Sequence, residues 1–389
     1  MNKMITQDNG VLSQTDYTSA TVLSTAANYI MTRPEPFTHT FRTYIRLREN
    51  GPLQLKFWHS NAVDSTWDQG QEATGSEPGG EWVIEAAYVA DGGKEPDGSI
   101  VINTQQKLTF EGNDSKTVAA GECFWSDETS ITLPEGHYLA FTWTIKTLAA
   151  GKSFPYNVEG MLATAYDMSG NRAAQESAAG FTESDKLLVL PSFLGYKKKV
   201  NKKLVFFGDS ITQGVRTLKD EYEYWTARIA EGLGTDIGVW NLGSGWARAY
   251  DAAADGPWVN KAKQSDELMI VLGVNDIDIG CRTAEELLAD LTTIISKIKA
   301  VSTEASIILS TVPPFNFQGE REETWRKVNE EIQSNPPAGV NRVFDIASIL
   351  SLPAPNDHRI RPEYMSGQDD PHPNGLAGKA IADAFLSWY

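Results

Sequence analysis

The chain has 389 residues, length for two domains, and 41% of them are hydrophobic, enough for a full core. Its net charge of -17 argues against nucleic acid and anionic membranes, whose phosphates require clustered Lys and Arg, and it suits a neutral substrate. The two cysteines, Cys123 and Cys281, lie far apart with no CxxC pair and no Cys/His cluster, which argues against a disulfide framework and a zinc site.

The first residues, Met1 to Gly10, contain no apolar leader core, and no stretch approaches membrane-span length. If the numbering starts at the native beginning, a cytoplasmic location is expected; a removed leader would make it secreted. Residues 1–195 read as β-rich. Phe41, Thr43, Ile45 and Leu47 alternate with Arg42, Tyr44, Arg46 and Arg48, Asn50-Gly51 gives a hairpin signal, and Leu53, Leu55 and Phe57 alternate again. Leu139, Phe141, Trp143 and Ile145 share a face opposite Tyr138, Ala140, Thr142 and Thr144. Glycine pairs at 79–80 and 92–93 mark loops, and no convincing helix precedes residue 160. Short strands and turn signals predict a sandwich of jelly-roll type. The basic run Lys197-Lys198-Lys199-Val200-Asn201-Lys202-Lys203 reads as a solvated linker.

From residue 196 onward β and α patterns alternate. Strands are predicted at 204–207, 237–241, 268–272, 305–310 and 342–346. Helices are predicted at 221–232, 283–300, 319–334 and 373–388, with Thr283 and Glu286 spaced as a capping box. This pattern predicts a three-layer α/β/α domain on a parallel sheet over 196–389.

Four loops carry polar residues where the carboxyl edge of such a sheet should lie. Gly208-Asp209-Ser210 follows the first strand, Asn241-Leu242-Gly243-Ser244-Gly245 the second, and Gly273-Val274-Asn275-Asp276 the third. Asp369-Asp370-Pro371-His372-Pro373-Asn374 precedes the last helix. Together they can perform acyl transfer. Ser210 needs a base to become a nucleophile, and His372 can be that base. Asp369, three residues before it, can hold the other ring nitrogen; Asp370 is the adjacent rival, disfavoured by spacing. The Ser210 N–H, a glycine N–H of the second loop and the Asn275 amide can hold an oxyanion. Asp209 and Asp276 read as structural acceptors of backbone N–H groups. No Lys-Ser/Thr follows Gly214, so Walker A chemistry is excluded. His39, His59, His137 and His358 show no partner pattern. Trp246 and Trp258 flank the second loop, where packing competes with a sugar-stacking or acyl-pocket role.

These blocks, in this order, resemble the SGNH hydrolase superfamily, the GDSL-type esterases and lipases, over residues 203–389. The resemblance implies a flavodoxin-like sheet, a Ser210–His372–Asp369 triad and an oxyanion hole of Ser210, Gly245 and Asn275. Gly245 stands one residue closer to Asn241 than the family's glycine usually does, so Gly243 is its alternative. Gln54–Asn61 and Ala120–Asp127 resemble segments of the β-sandwich ahead of some members, which are often carbohydrate esterases. The resemblance therefore implies a carbohydrate O-acetyl esterase acting on acetylated (xylo-)oligosaccharides, with no cofactor and no metal. A short-chain acyl esterase or lysophospholipase is the alternative enzyme, and a glycan-binding protein with an inert SGNH-like domain the non-enzyme one. Association into a homo-oligomer is left open by the sequence.

Overall fold

A computed structural model of the chain describes residues 16–64, 67–68, 71–72, 77–157, 162–254 and 256–389. The expectations for residues 1–10 lie outside that range. In the N-terminal part, one antiparallel sheet is built on Gly51–Ser60, which pairs with Phe193–Lys197, Cys123–Trp125 and Thr129–Leu133; Tyr17–Ser19 adds to Phe193–Lys197. A second antiparallel sheet runs Thr182–Glu183, Ala165–Ser169, Thr38–Ile45, Leu139–Thr147, Trp82–Asp91 and Gln106–Leu108, with Lys116–Val118 also on Trp82–Asp91. Phe41, Ile45, Phe141, Trp143 and Ile145 of the second sheet share one core with Leu53, Leu55 and Phe57 of the first.

One sequence expectation changes here. Asn50-Gly51 does not close a hairpin, because the strands before and after it belong to different sheets; the turn is a corner between them. Both faces of Thr38–Ile45 are covered, and Arg42 and Tyr44 are fully buried. Loop segments near Gly98 and Gln175 cover the face of those two residues. The Arg42 guanidinium donates to Thr142 Oγ1 at 3.0 Å and to the carbonyls of Gly98 and Gln175, and Tyr44 donates to the Ser99 carbonyl. A buried guanidinium is tolerable only with such partners.

The C-terminal sheet is parallel throughout. Its elements are β1 (Lys202–Gly208), α1 (Ser210–Gln213), α2 (Trp225–Leu233), β2 (Ile237–Asn241), α3 (Ala249–Ala253), α4 (Pro257–Ala262) and β3 (Glu267–Val271). They continue with α5 (Val274–Asp278), α6 (Ala284–Val301), β4 (Ser306–Ser310), α7 (Glu320–Ser334), β5 (Arg342–Phe344) and α8 (Ile346–Leu350). A hairpin of β6 (Met365–Gly367) and β7 (Asp370–Pro373) precedes the last helix, α9 (Gly375–Trp388). The sheet order is β2-β1-β3-β4-β5, so the chain reverses its direction of travel across the sheet after β2 and opens a crevice at the carboxyl ends of β1 and β3. Residues 204–207 of β1 are all buried, as a continuous apolar run flanked by layers on both faces requires. The capping box of Thr283 and Glu286 forms as the spacing predicts. Helix α2 starts at Trp225, later than predicted, because Asp220 and Tyr222 adopt left-handed backbone with φ of 65° and 53°.

The chain leaves the antiparallel sheet at Lys197 and enters the parallel one at Lys202, slightly beyond the expected change at 195/196. The basic run there is not merely solvated: Lys198 bonds Glu49 and Thr235, and Lys202 meets Glu267 at 3.3 Å. The two halves pack on one another through polar as well as apolar contacts. Arg48 donates to the carbonyls of Ile237, Ala230 and Gly234, Phe193 packs edge-on against Trp240 at 5.1 Å, and the wholly buried Lys261 pairs with Asp64 at 2.6 Å. Among the described residues no helix is long and apolar enough to cross a membrane.

Candidate active site

Ser210 opens α1 immediately beyond β1. Gly208 is required at the strand end: a Cβ there would stand 2.1 Å from Thr212 Oγ1 and 2.4 Å from the Val271 carbonyl. Asp209 caps the short helix, its carboxylate accepting the Ile211 N–H at 2.9 Å, and Gly214 ends it in left-handed backbone at φ 103°. This turn holds Ser210 half-buried at the mouth of the crevice.

His372 reaches the serine from β7. Its Nε2 lies 3.0 Å from Ser210 Oγ, and the ring packs edge-on against Phe315 of the loop after β4, with centroids 5.2 Å apart. Asn374 steadies this hairpin. Its carboxamide oxygen accepts from Leu376 and Ala377 to cap α9, while its nitrogen donates to the Glu363 and Met365 carbonyls.

The carboxylate bound to the histidine is Asp370. His372 Nδ1 meets Asp370 Oδ1 at 2.6 Å, and the same oxygen accepts the His372 backbone N–H at 3.1 Å. The expected Asp369 is exposed and stands in the turn between β6 and β7. The reason is strand geometry: side chains repeat with period two, so Asp370 and His372 share a face that Asp369 cannot reach. Burial favours the neutral form of Asp370, but the His372 hydrogen bonds and charge outweigh it, with help from Arg216, and hold the carboxyl below its ordinary range.

The second loop lies against the serine turn. Ser244 N–H donates to the Gly208 carbonyl at 2.9 Å, and Asn241 Nδ2 donates to Thr212 O at 3.1 Å. Gly243 belongs to the framework, because its N–H is taken by Asn241 Oδ1 at 2.8 Å and its carbonyl by Ser24 Oγ at 2.6 Å. Gly245 lies two residues further on, buried. Asn275, on the first turn of α5, donates through Nδ2 to the Ala247 carbonyl at 3.0 Å; the second hydrogen on that nitrogen is chemically available to an oxyanion. The Ser210 N–H, first in α1, has no acceptor within the helix ladder.

Asp209 and Asp276 are wholly buried beneath these loops. Asp276 accepts the N–H groups of Ala249 and Tyr250 at 2.9 and 3.1 Å, the structural role read from sequence. Burial, and then the neighbouring Asp276, pushes Asp209 up to about 7; burial pushes Asp276 up to about 6. Trp258 is core, its indole N–H on the Leu242 carbonyl and its ring 4.0 Å from that of Phe207. Trp246 is half-buried in left-handed backbone at φ 67°. The remaining histidines lie apart from this site. His39 meets Asp167 at 2.8 Å, His137 meets Asp91 at 2.8 Å and His358 meets Glu322 at 3.1 Å; His59 is buried without a hydrogen-bond partner.

Serine, histidine and carboxylate linked in this order at the carboxyl edge of a parallel sheet define a serine hydrolase site. Residues 206–379 match the model of the GDSL-like Lipase/Acylhydrolase family. A curated protein of Mycoplasma pneumoniae described as "Uncharacterized protein" is 25% identical over 163 residues, 40% of this chain; the chain spans 18% of that relative's length. A family two carbohydrate esterase from Clostridium thermocellum, in complex with cellohexaose, is 14% identical with a TM-score of 0.38, over 93% of this chain and 97% of that one. Its counterpart from Cellvibrio japonicus is 11% identical with a TM-score of 0.37, over 95% of each chain. A carbohydrate esterase family 3 structure from Talaromyces cellulolyticus is 18% identical with a TM-score of 0.37, over 48% of this chain and 95% of that one. At these identities and TM-scores the likenesses carry no inference about substrate.

Proposed function

We propose that the chain hydrolyses esters through an acyl-enzyme on Ser210, and that its substrates are acetyl esters of oligosaccharides. The observation that carries the reaction is the relay from Ser210 Oγ through His372 at 3.0 Å to Asp370 at 2.6 Å. Ser210 attacks the ester carbonyl while His372 Nε2 takes its proton. Asp370 holds the Nδ1–H tautomer and stabilises the imidazolium. The Ser210 and Gly245 N–H groups and the Asn275 amide receive the developing oxyanion. His372 then protonates the departing alcohol, and afterwards activates the water that releases the acid.

A short acyl group is supported by Phe315, packed edge-on against His372 beside the nucleophile. A sugar alcohol is supported by the polar groups near Tyr250, whose backbone N–H is held by Asp276 and whose ring is partly exposed. The guanidiniums of Arg248 and Arg282 lie over that ring, 5.3 and 4.8 Å from its centroid, and offer hydrogen-bond donors to hydroxyls. In this reading the two antiparallel sheets form a jelly-roll-like accessory domain, with Ser24 buttressing the second loop through the Gly243 carbonyl.

The test is acetate release from acetylated xylo-oligosaccharides against hydrolysis of butyryl and octanoyl p-nitrophenyl esters, with Ser210→Ala as control. Preference for the acetylated sugar, abolished in the variant, is expected. Faster turnover of the longer chains would overturn the sugar assignment and leave an acyl esterase. Failure on every ester would favour an inert, glycan-binding domain.

A further inference from the structure

Asp370 has an unusual position for the acid of such a relay. Its side chain is 34% exposed on a surface hairpin, so burial alone does not fix its rotamer. Its two oxygens have separate partners. Oδ1 faces His372, and Oδ2 accepts Arg216 Nε at 3.0 Å. Arg216 belongs to the serine segment. The N–H groups of Gly214 and Val215 both donate to the Ser210 carbonyl at 3.0 Å, and Val215 is buried, which leaves Arg216 to project from an anchored turn. Its backbone is left-handed at φ 72°, a conformation that disfavours a long side chain and asks for a reason.

We propose that Arg216 is a positioning residue for the triad carboxylate, clamping Asp370 Oδ2 so that Oδ1 stays presented to His372 Nδ1. The contacts close a ring: Ser210 Oγ to His372, His372 to Asp370, Asp370 to Arg216, and the Arg216 turn back to the Ser210 carbonyl. The nucleophile and the acid, 160 residues apart in the chain, are thus held by one another's loops as well as by the histidine between them. The inference rests on the triad reading above.

Hydrogen-bond geometry makes the proposal measurable. Without Arg216 on Oδ2, the partly exposed Asp370 is free to turn away from the ring, and the 2.6 Å contact between His372 Nδ1 and Asp370 Oδ1 is the bond that weakens.

The experiment uses the full chain with Arg216→Gln and Arg216→Lys. It reads kcat and KM on p-nitrophenyl acetate and, by NMR, the low-field proton resonance of His372 Nδ1–H, the signature of its bond to Asp370. The Gln variant is expected to lose about 3- to 10-fold in kcat with little change in KM, and the resonance should broaden or move upfield. The Lys variant keeps the charge and should restore part of both, but not all, since an ammonium lacks the planar fork. A resonance unchanged in Arg216→Gln overturns the proposal, whether or not kcat falls. If the native chain hydrolyses no ester, the hydrolase reading fails, and the resonance still decides on Arg216.

Discussion

Replacing Asp370 by Asn keeps the shape of the side chain and removes the charge that the relay needs. Asp370 Oδ1 takes both the ring N–H of His372, at 2.6 Å, and its backbone N–H, at 3.1 Å. An amide in that place turns an NH₂ toward Nδ1 or keeps its oxygen there uncharged. In the first case His372 adopts the tautomer whose Nε2–H faces Ser210 and cannot accept the proton. In the second, the imidazolium loses its counter-charge. A loss of about 10²- to 10⁴-fold in kcat follows, the lower end reflecting the partial solvation of this carboxylate. KM should change little, because the ground-state ester does not touch Asp370. Asp369→Asn, on the exposed turn, should stay within about 2-fold of the native rate. The assay is p-nitrophenyl acetate hydrolysis at pH 7.5 by both variants, with thermal unfolding as the control for folding. A near-native Asp370→Asn beside a crippled Asp369→Asn would refute the strand argument that assigns the acid.

Further outcomes test the oxyanion donors, the domain contact and the core. Asn275→Ala should lower kcat by about 10²- to 10³-fold with KM nearly unchanged, as measured by steady-state kinetics. Lys261→Met leaves the wholly buried Asp64 unpaired and should cost about 3–5 kcal/mol in urea unfolding, most of it recovered in the Lys261→Met, Asp64→Asn double variant. His59 sits among Trp82, Phe124 and Trp143, and burial, followed by the charge of Lys261, pushes its pKa down to about 3. Because the unfolded chain takes up this proton first, the stability contribution is complete above pH 6.5 and is lost as pH falls; about 2 kcal/mol should go between pH 7 and 5. His59→Leu should flatten that part of the pH dependence in urea titrations, while an unchanged slope would contradict the burial argument.

The loops at the carboxyl edge were legible because each pairs an apolar strand-length run with a short polar turn. Ser210 and Asn275 stand out in this way, each just beyond a buried strand, and the structure brings His372 to 3.0 Å from Ser210. Spacing to His372 points to Asp369 in the sequence, whereas in the structure Asp370 bonds the ring. The rule that settles it, two residues along a strand, applies only once Asp370–Pro373 is seen to pair with Met365–Gly367. Arg216 was invisible for a different reason: its partner lies 154 residues away and no local pattern marks it. In the N-terminal half, alternation located the strands but not their partners. Asn50-Gly51 looks like a hairpin until the two flanking strands are assigned to separate sheets. The burial of Arg42 and Tyr44 has no local signal, because the loops that cover them come from distant sequence.

The most direct test of the central claim is labelling with a fluorophosphonate, which traps a serine only when a base activates it. Intact-mass and peptide mass spectrometry should find one adduct per chain, on Ser210, formed more slowly in Asp370→Asn and absent in Ser210→Ala and His372→Ala. Labelling at another serine, or none on a folded chain that still hydrolyses acetyl esters, would contradict an acyl-enzyme on Ser210.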